Sequence, residues 1–143
     1  MDEKRNQIRL KFIIKKDFST AGDASSSLKK ILKSIHIQPA VIRKIAIASF
    51  EAEVNVIAHA DGGEMDVILS PDEVKVIIKD EGPGIQDIQE AMKPGFSTAT
   101  DDVRNMGFGA GMGLPNINNN VDKLDIQSIL GKGTTLTFSV LLS

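Results

Sequence analysis

The stretch Met65-Asp66-Val67-Ile68-Leu69-Ser70-Pro71-Asp72-Glu73-Val74-Lys75-Val76-Ile77-Ile78-Lys79-Asp80 carries two alternating runs around a turn. Met65, Val67 and Leu69 alternate with Asp66 and Ile68. Val74, Val76 and Ile78 alternate with Lys75, Ile77 and Lys79. Period two is the mark of a half-buried strand, because successive side chains point to opposite faces. Pro71-Asp72 is a turn signal. The stretch therefore predicts an antiparallel hairpin.

Working upstream, the period changes to 3.6. Val41, Ile42, Ile45, Ala48, Ala52, Val56 and Ile57 predict a long helix from Pro39 to about Ala60, closed by Gly62-Gly63. Before it, Ala24, Leu28, Ile31, Leu32 and Ile35 predict a helix over about 21–35, with Thr20 or Asp23 placed to cap its start. Gln7 to Lys15 alternates again and predicts a first strand. Downstream, Ile85 to Met92 suits a short helix, Lys93 to Met106 reads as a loop, and Leu114 to Lys123 as another helix. Asp125 to Leu130 and Thr134 to Leu142 are strands meeting at Gly131-Lys132-Gly133, a second hairpin. Hairpins with helices grouped between them predict α+β. The expectation is a two-layer sandwich, one mixed and mostly antiparallel sheet with helices on a single face.

The totals narrow the class. One domain over residues 1–143 is the expectation for this length. A net charge of −2 argues against a broad nucleic-acid surface. No apolar run is long enough to span a bilayer, and the charged start is not followed by the apolar core of a signal peptide. The sequence has no cysteine, which excludes disulfides, thiolate chemistry and Cys-based zinc sites. These features together predict a cytoplasmic protein with no membrane and no direct nucleic-acid partner.

Three places invite chemistry. On the long helix, Glu51, Asn55 and His59 are spaced four apart and share a face. A carboxamide oxygen can ligate Mg2+, which otherwise keeps water and phosphate oxygens. A carboxylate one turn away can take a proton from a hydroxyl. A solvated polar stripe is the alternative, and His59 near the helix end reads more simply as a dipole partner. At the end of the first hairpin, Asp80-Glu81-Gly82-Pro83-Gly84-Ile85 puts an acceptor beside two glycines. An ionised carboxylate only accepts hydrogen bonds, so Asp80 suits an exocyclic amine; an ordinary turn is the alternative. Third, Gly107-Phe108-Gly109-Ala110-Gly111-Met112-Gly113-Leu114-Pro115 has glycine at every second position before a predicted helix. Bare backbone at a helix start suits an anion, whereas a linker would not interleave Phe, Met and Leu. The spacing is not that of a P-loop or of a dinucleotide fingerprint.

In order and spacing these segments resemble the N, G1 and G2 boxes of the GHKL, or Bergerat-fold, ATPases. Glu51-x-x-x-Asn55 matches the first, Asp80-x-Gly82-x-Gly84 the second and Gly107-x-Gly109-x-Gly111-x-Gly113 the third. Gly131-Lys132-Gly133-Thr134-Thr135 looks like the family's last segment. The resemblance is nearest to the anti-sigma-factor and switch serine/threonine kinases, through the run from Glu51 to His59 and the close of the third box at Gly113-Leu114-Pro115. Phe108 and Ala110 depart from the usual third box.

The resemblance implies an ATP and Mg2+ site. Asn55 would bind the metal, Glu51 would act as base, and Asp80 would read the adenine amine, with Gly82, Gly84 and Ile85 shaping that pocket. Gly107, Gly109, Gly111, Met112, Gly113 and Leu114 would close over the phosphates as part of a lid at 93–113, and Thr134 would support the base. It also implies an anti-sigma antagonist or a sigma factor as protein partner and phosphorylation of a partner's serine or threonine, and it leaves a homodimer open, with no interface legible in the sequence. The alternative function is a nucleotide-dependent module that grips its partner without turnover.

Overall fold

The structure is a computed structural model and describes residues 7–85, 87–93 and 113–142. Five strands form one sheet: β1 (Ile8–Ile14), β2 (Gly63–Leu69), β3 (Glu73–Asp80), β4 (Lys123–Ile129) and β5 (Gly133–Leu141), in the spatial order β1-β2-β3-β5-β4. Every pairing is antiparallel, so the parallel component expected of a mixed sheet is absent among the described residues. The helices are α1 (Asp23–Ser34), α2 (Pro39–His59), the single turn α3 (Ile88–Ala91) and α4 (Gly113–Asn120). The expected α+β architecture is the one observed.

The registers align the alternating residues into rows across the sheet. Phe12, Met65, Ile78, Leu136 and Ile126 form one inner row, and Leu10, Val67, Val76, Phe138 and Leu124 the next. Met65, Val67, Val76 and Phe138 have no exposed surface. Burying each such side chain stabilises the fold by about 1.5–3 kcal/mol. The opposite face carries charge, including a Lys11–Glu64 ion pair at 3.3 Å whose exposure leaves it little effect on stability.

Helix α2 is the spine of the second layer. Leu28 and Leu32 of α1, Leu114 and Ile117 of α4, and Ile45, Ala48, Ala52 and Ile57 of α2 share one core with the sheet. Because neighbours surround it, α2 is apolar over most of its circumference, and its exposed side chains, among them Arg43, Lys44, Ile47 and Phe50, gather near one strip. Pro39 opens it at a position where no N–H is needed. Helix α4 stops three residues earlier than expected. Lys123 is already paired with Ser139, and Asp122 accepts a hydrogen bond from the Leu141 amide at 2.7 Å, so the chain is committed to β4 by then.

Helix α1 begins differently from the sequence expectation. Neither Thr20 nor Asp23 caps it. Its N-cap is Gly22, which has no side chain to offer. The missing acceptor comes from α2. Glu53 accepts from the backbone amides of Gly22 at 3.0 Å and Ala24 at 3.2 Å through Oε2, and from Ser25 at 3.0 Å through Oε1. Glu53 is 2% exposed, and the three donors together with the helix N-terminus make an acceptor-only group stable there.

Candidate active site

The inner face of the sheet is apolar in every row but one. The last row runs Ile14, Gly63, Asp80, Thr134, Ser128. Its polar members lie on three neighbouring strands, at the sheet end that faces the C-terminal end of α2. Asp80 Oδ1 accepts from the Gly82 amide at 2.9 Å and from the Thr134 amide at 3.2 Å. Both bonds fall on Oδ1, which leaves Oδ2 with acceptor capacity among the described residues. An open cavity of about 560 Å³ is lined by Asp80, Ile88, Ser128 and Thr134, together with Gly133 and Lys132.

The turn after Asp80 needs both of its glycines. Gly82 passes so close to α2 that a Cβ there would lie 2.7 Å from the Ala60 Cβ. Gly84 has φ of +81°, and a Cβ would lie 2.7 Å from the Ile129 carbonyl oxygen. The turn is thus wedged between the end of α2 and the β4–β5 hairpin, to which it is tied by Gly131 N–H donating to the Pro83 carbonyl at 2.9 Å. The Ile85 side chain packs against the core, and its amide donates to Ser128 Oγ at 2.7 Å.

The second half of the site lies along α2. Glu51 and Asn55 are half-buried and face α4. Asn116 of α4 donates from Nδ2 to Glu51 Oε1 at 3.3 Å. Gly113, the first residue of α4, sits over Asn55, and a Cβ there would come within 3.3 Å of Asn55 Oδ1. Leu114 turns its side chain into the core, so what it offers a ligand is its backbone at the helix start. His59 follows Asn55 by one turn, about 6 Å along the axis. Burial holds the His59 imidazole below its ordinary pKa; the nearby Asp80 carboxylate opposes that shift and Lys16 adds to it. His59 thus lies one turn from Asn55 on α2 and close enough to Asp80 to feel its charge.

Gly107, Gly109, Gly111 and Met112 lie outside the described residues, as does the lid at 93–113 except for its two end residues. Three residues that sequence reading passed over take part in the arrangement: Glu53, Asn116 and Ser128. Ser128 had a signal, since it puts a hydroxyl on the face that Leu124 and Ile126 make apolar. Asn116 and Glu53 had none, because their partners are far away in sequence.

Asn55 fits Mg2+ chemically. Its carboxamide oxygen lies beside the start of α4, and among the described residues no group of three or more His, Asp or Glu could hold a metal instead. No helix among the described residues is long and apolar enough to cross a membrane.

Residues 15–140 match the model of the histidine kinase-like ATPase domain. The chain belongs to the histidine kinase-like ATPase family. Its curated relatives in that family carry regulatory names. It is 35% identical over 98 residues to an anti-sigma F factor of Thermoanaerobacter sp. strain X514, an alignment covering 65% of this chain and 65% of that protein. It is 32% identical over 97 residues to the serine/threonine-protein kinase RsbT of Bacillus subtilis, covering 65% and 67%. It is 29% identical over 139 residues to an anti-sigma F factor of Caldanaerobacter subterraneus, covering 92% and 91%. Thus the chain spans a little under two thirds of the first relative and nine tenths of the last. In fold it is similar to a crystal structure of RsbU and RsbW domains from Mycobacterium tuberculosis, with a TM-score of 0.65 and 18% identity over 94% of this chain and 32% of that one.

Proposed function

We propose that the chain is an ATP-dependent serine/threonine protein kinase that phosphorylates a small partner protein of the anti-sigma-antagonist kind. One observation carries the reading. Glu51 and Asn55 share the face of α2 that meets α4, with Asn116 against one and Gly113 against the other. That arrangement sets a base and a metal-ligating oxygen beside a helix N-terminus, where phosphates are favoured. The names of the relatives agree with this reading.

Asp80 Oδ2 and Thr134 hold the base of ATP, and the start of α4 faces its phosphates. Asn55 Oδ1 would hold Mg2+, which when bound would neutralise phosphate charge. Glu51 accepts the proton of the partner's hydroxyl as that oxygen bonds to the γ-phosphorus and the bond to the β–γ bridging oxygen breaks, releasing ADP. The chemistry is mainly positioning, so the rigid α2–α4 contact matters more than any covalent step.

A second reading is a module that sequesters a sigma factor according to nucleotide state. The alignment that runs over 92% of this chain, to a protein named anti-sigma F factor, favours it. Transfer of labelled γ-phosphate to a cognate antagonist separates the two. The kinase reading expects transfer by wild type and a strongly reduced rate in Glu51→Ala, with ATP binding retained in both. Equal inactivity of the two, with nucleotide-dependent capture of the partner intact, would leave the binding module.

A further inference from the structure

Ser128 has a role that the reaction does not assign to it. Its Oγ lies 2.7 Å from the Ile85 amide nitrogen, 3.2 Å from the Gly133 carbonyl oxygen and 2.9 Å from Thr134 Oγ1. A hydroxyl has one proton to donate and two lone pairs to accept with. The Ile85 amide can only donate, and the Gly133 carbonyl can only accept. Ser128 therefore donates to Gly133 and accepts from Ile85, so the remaining contact is made only if Thr134 donates. The hydrogens follow from what each partner is able to do. One proton assignment satisfies all three contacts.

Its consequence falls on the cavity. The hydroxyl proton of Thr134 points back to Ser128, and what Thr134 turns to the cavity is lone pairs. Asp80 lies beside it in the same row and also only accepts. We propose that Ser128 is a positioning residue that fixes Thr134 as an acceptor and so tunes the cavity for a 6-amino purine against a 6-oxo purine. This rests on the nucleotide reading above and deepens it. An adenine amino group has two N–H bonds, one for each acceptor. A 6-oxo purine has an oxygen at that place, facing lone pairs. Without the Ser128 hydroxyl, Thr134 is released to rotate and donate to that oxygen.

The test is the ratio of Kd values for ITP and ATP, measured by displacement of a fluorescent ATP analogue. Wild type should favour ATP. In Ser128→Ala the preference should shrink by about tenfold, the size of one hydrogen bond of discrimination. Ser128→Thr keeps the hydroxyl and should keep the ratio. Thr134→Val, which removes the acceptor, should also shrink the preference and serves if Ser128→Ala folds poorly. A purely structural Ser128 would weaken both nucleotides in parallel, and an unchanged ratio in Ser128→Ala or in Thr134→Val overturns the proposal while leaving nucleotide binding in place. Wild type that binds neither nucleotide would overturn the nucleotide reading and this proposal with it.

Discussion

Glu51 and Glu53 stand two residues apart on α2, about 200° around its axis, and lead different lives. Glu53 is sealed in, and both of its oxygens are occupied by three backbone amides. Glu51 is half-buried, and among the described residues its side chain accepts a single hydrogen bond, a 3.3 Å contact with the Asn116 amide. Burial therefore does not single out the carboxylate we propose as the base. What counts is lone pairs left over. Glu53 has committed its oxygens to building α1 onto α2, whereas Glu51 keeps acceptor capacity beside Asn55. On the proposed reading, the helix uses one residue type for structure on one side and for chemistry on the other.

The largest expected effect is on the chemical side. Glu51→Ala should lower phosphate transfer by roughly 10²–10⁴-fold, the usual contribution of a positioned base, while the melting temperature hardly moves. A large loss of stability in that variant would erase the distinction between the two carboxylates. The complementary change is Glu53→Ala, which leaves buried amides without an acceptor. It should destabilise the fold by at least about 3 kcal/mol, given about 1–3 kcal/mol for each unsatisfied group. Denaturant unfolding reads this directly. Glu53→Gln should cost less, since its amide oxygen still accepts. A Glu53→Ala protein of native stability would mean that the cap contributes little.

Acid gives the smallest effect. Burial lowers the His59 pKa in the folded state from its ordinary 6.5, so the unfolded chain binds the extra proton more readily. The stability that comes from neutral His59 is present above pH 6.5 and is lost as pH falls through 6.5 and below. Unfolding free energies of wild type and His59→Gln between pH 8 and 5 should diverge in slope over that interval. Parallel curves would show that the imidazole protonates equally well in both states.

The elements were legible where each carried its own period. The alternation in β2 and β3 and the 3.6-residue repeat of α2 reflect burial of one face, and burial is what forms the core. Glu51, Asn55 and Asp80 stood out because a polar group on an apolar face needs a reason. The start of α1 was misread because Thr20 and Asp23 are good local caps, and nothing near Gly22 reveals that an acceptor arrives from Glu53. The end of α4, expected at Lys123, comes earlier because the pairing of Lys123 with Ser139 commits the chain to β4. Ser128 was legible only in principle, since its meaning depends on Ile85, Gly133 and Thr134 meeting around it.

The Glu53 cap also has a bearing on the order of assembly. The acceptor for the first turn of α1 lies 28–31 residues further along the chain. A newly made α1 has no cap of its own at Gly22, and a helix of 12 residues is marginal alone. Its first turn can settle only after half of α2 has formed and docked. In pulse-labelled hydrogen exchange during refolding, the Gly22, Ala24 and Ser25 amides should become protected together with the middle of α2. Protection of those amides ahead of α2 would show that α1 starts on its own.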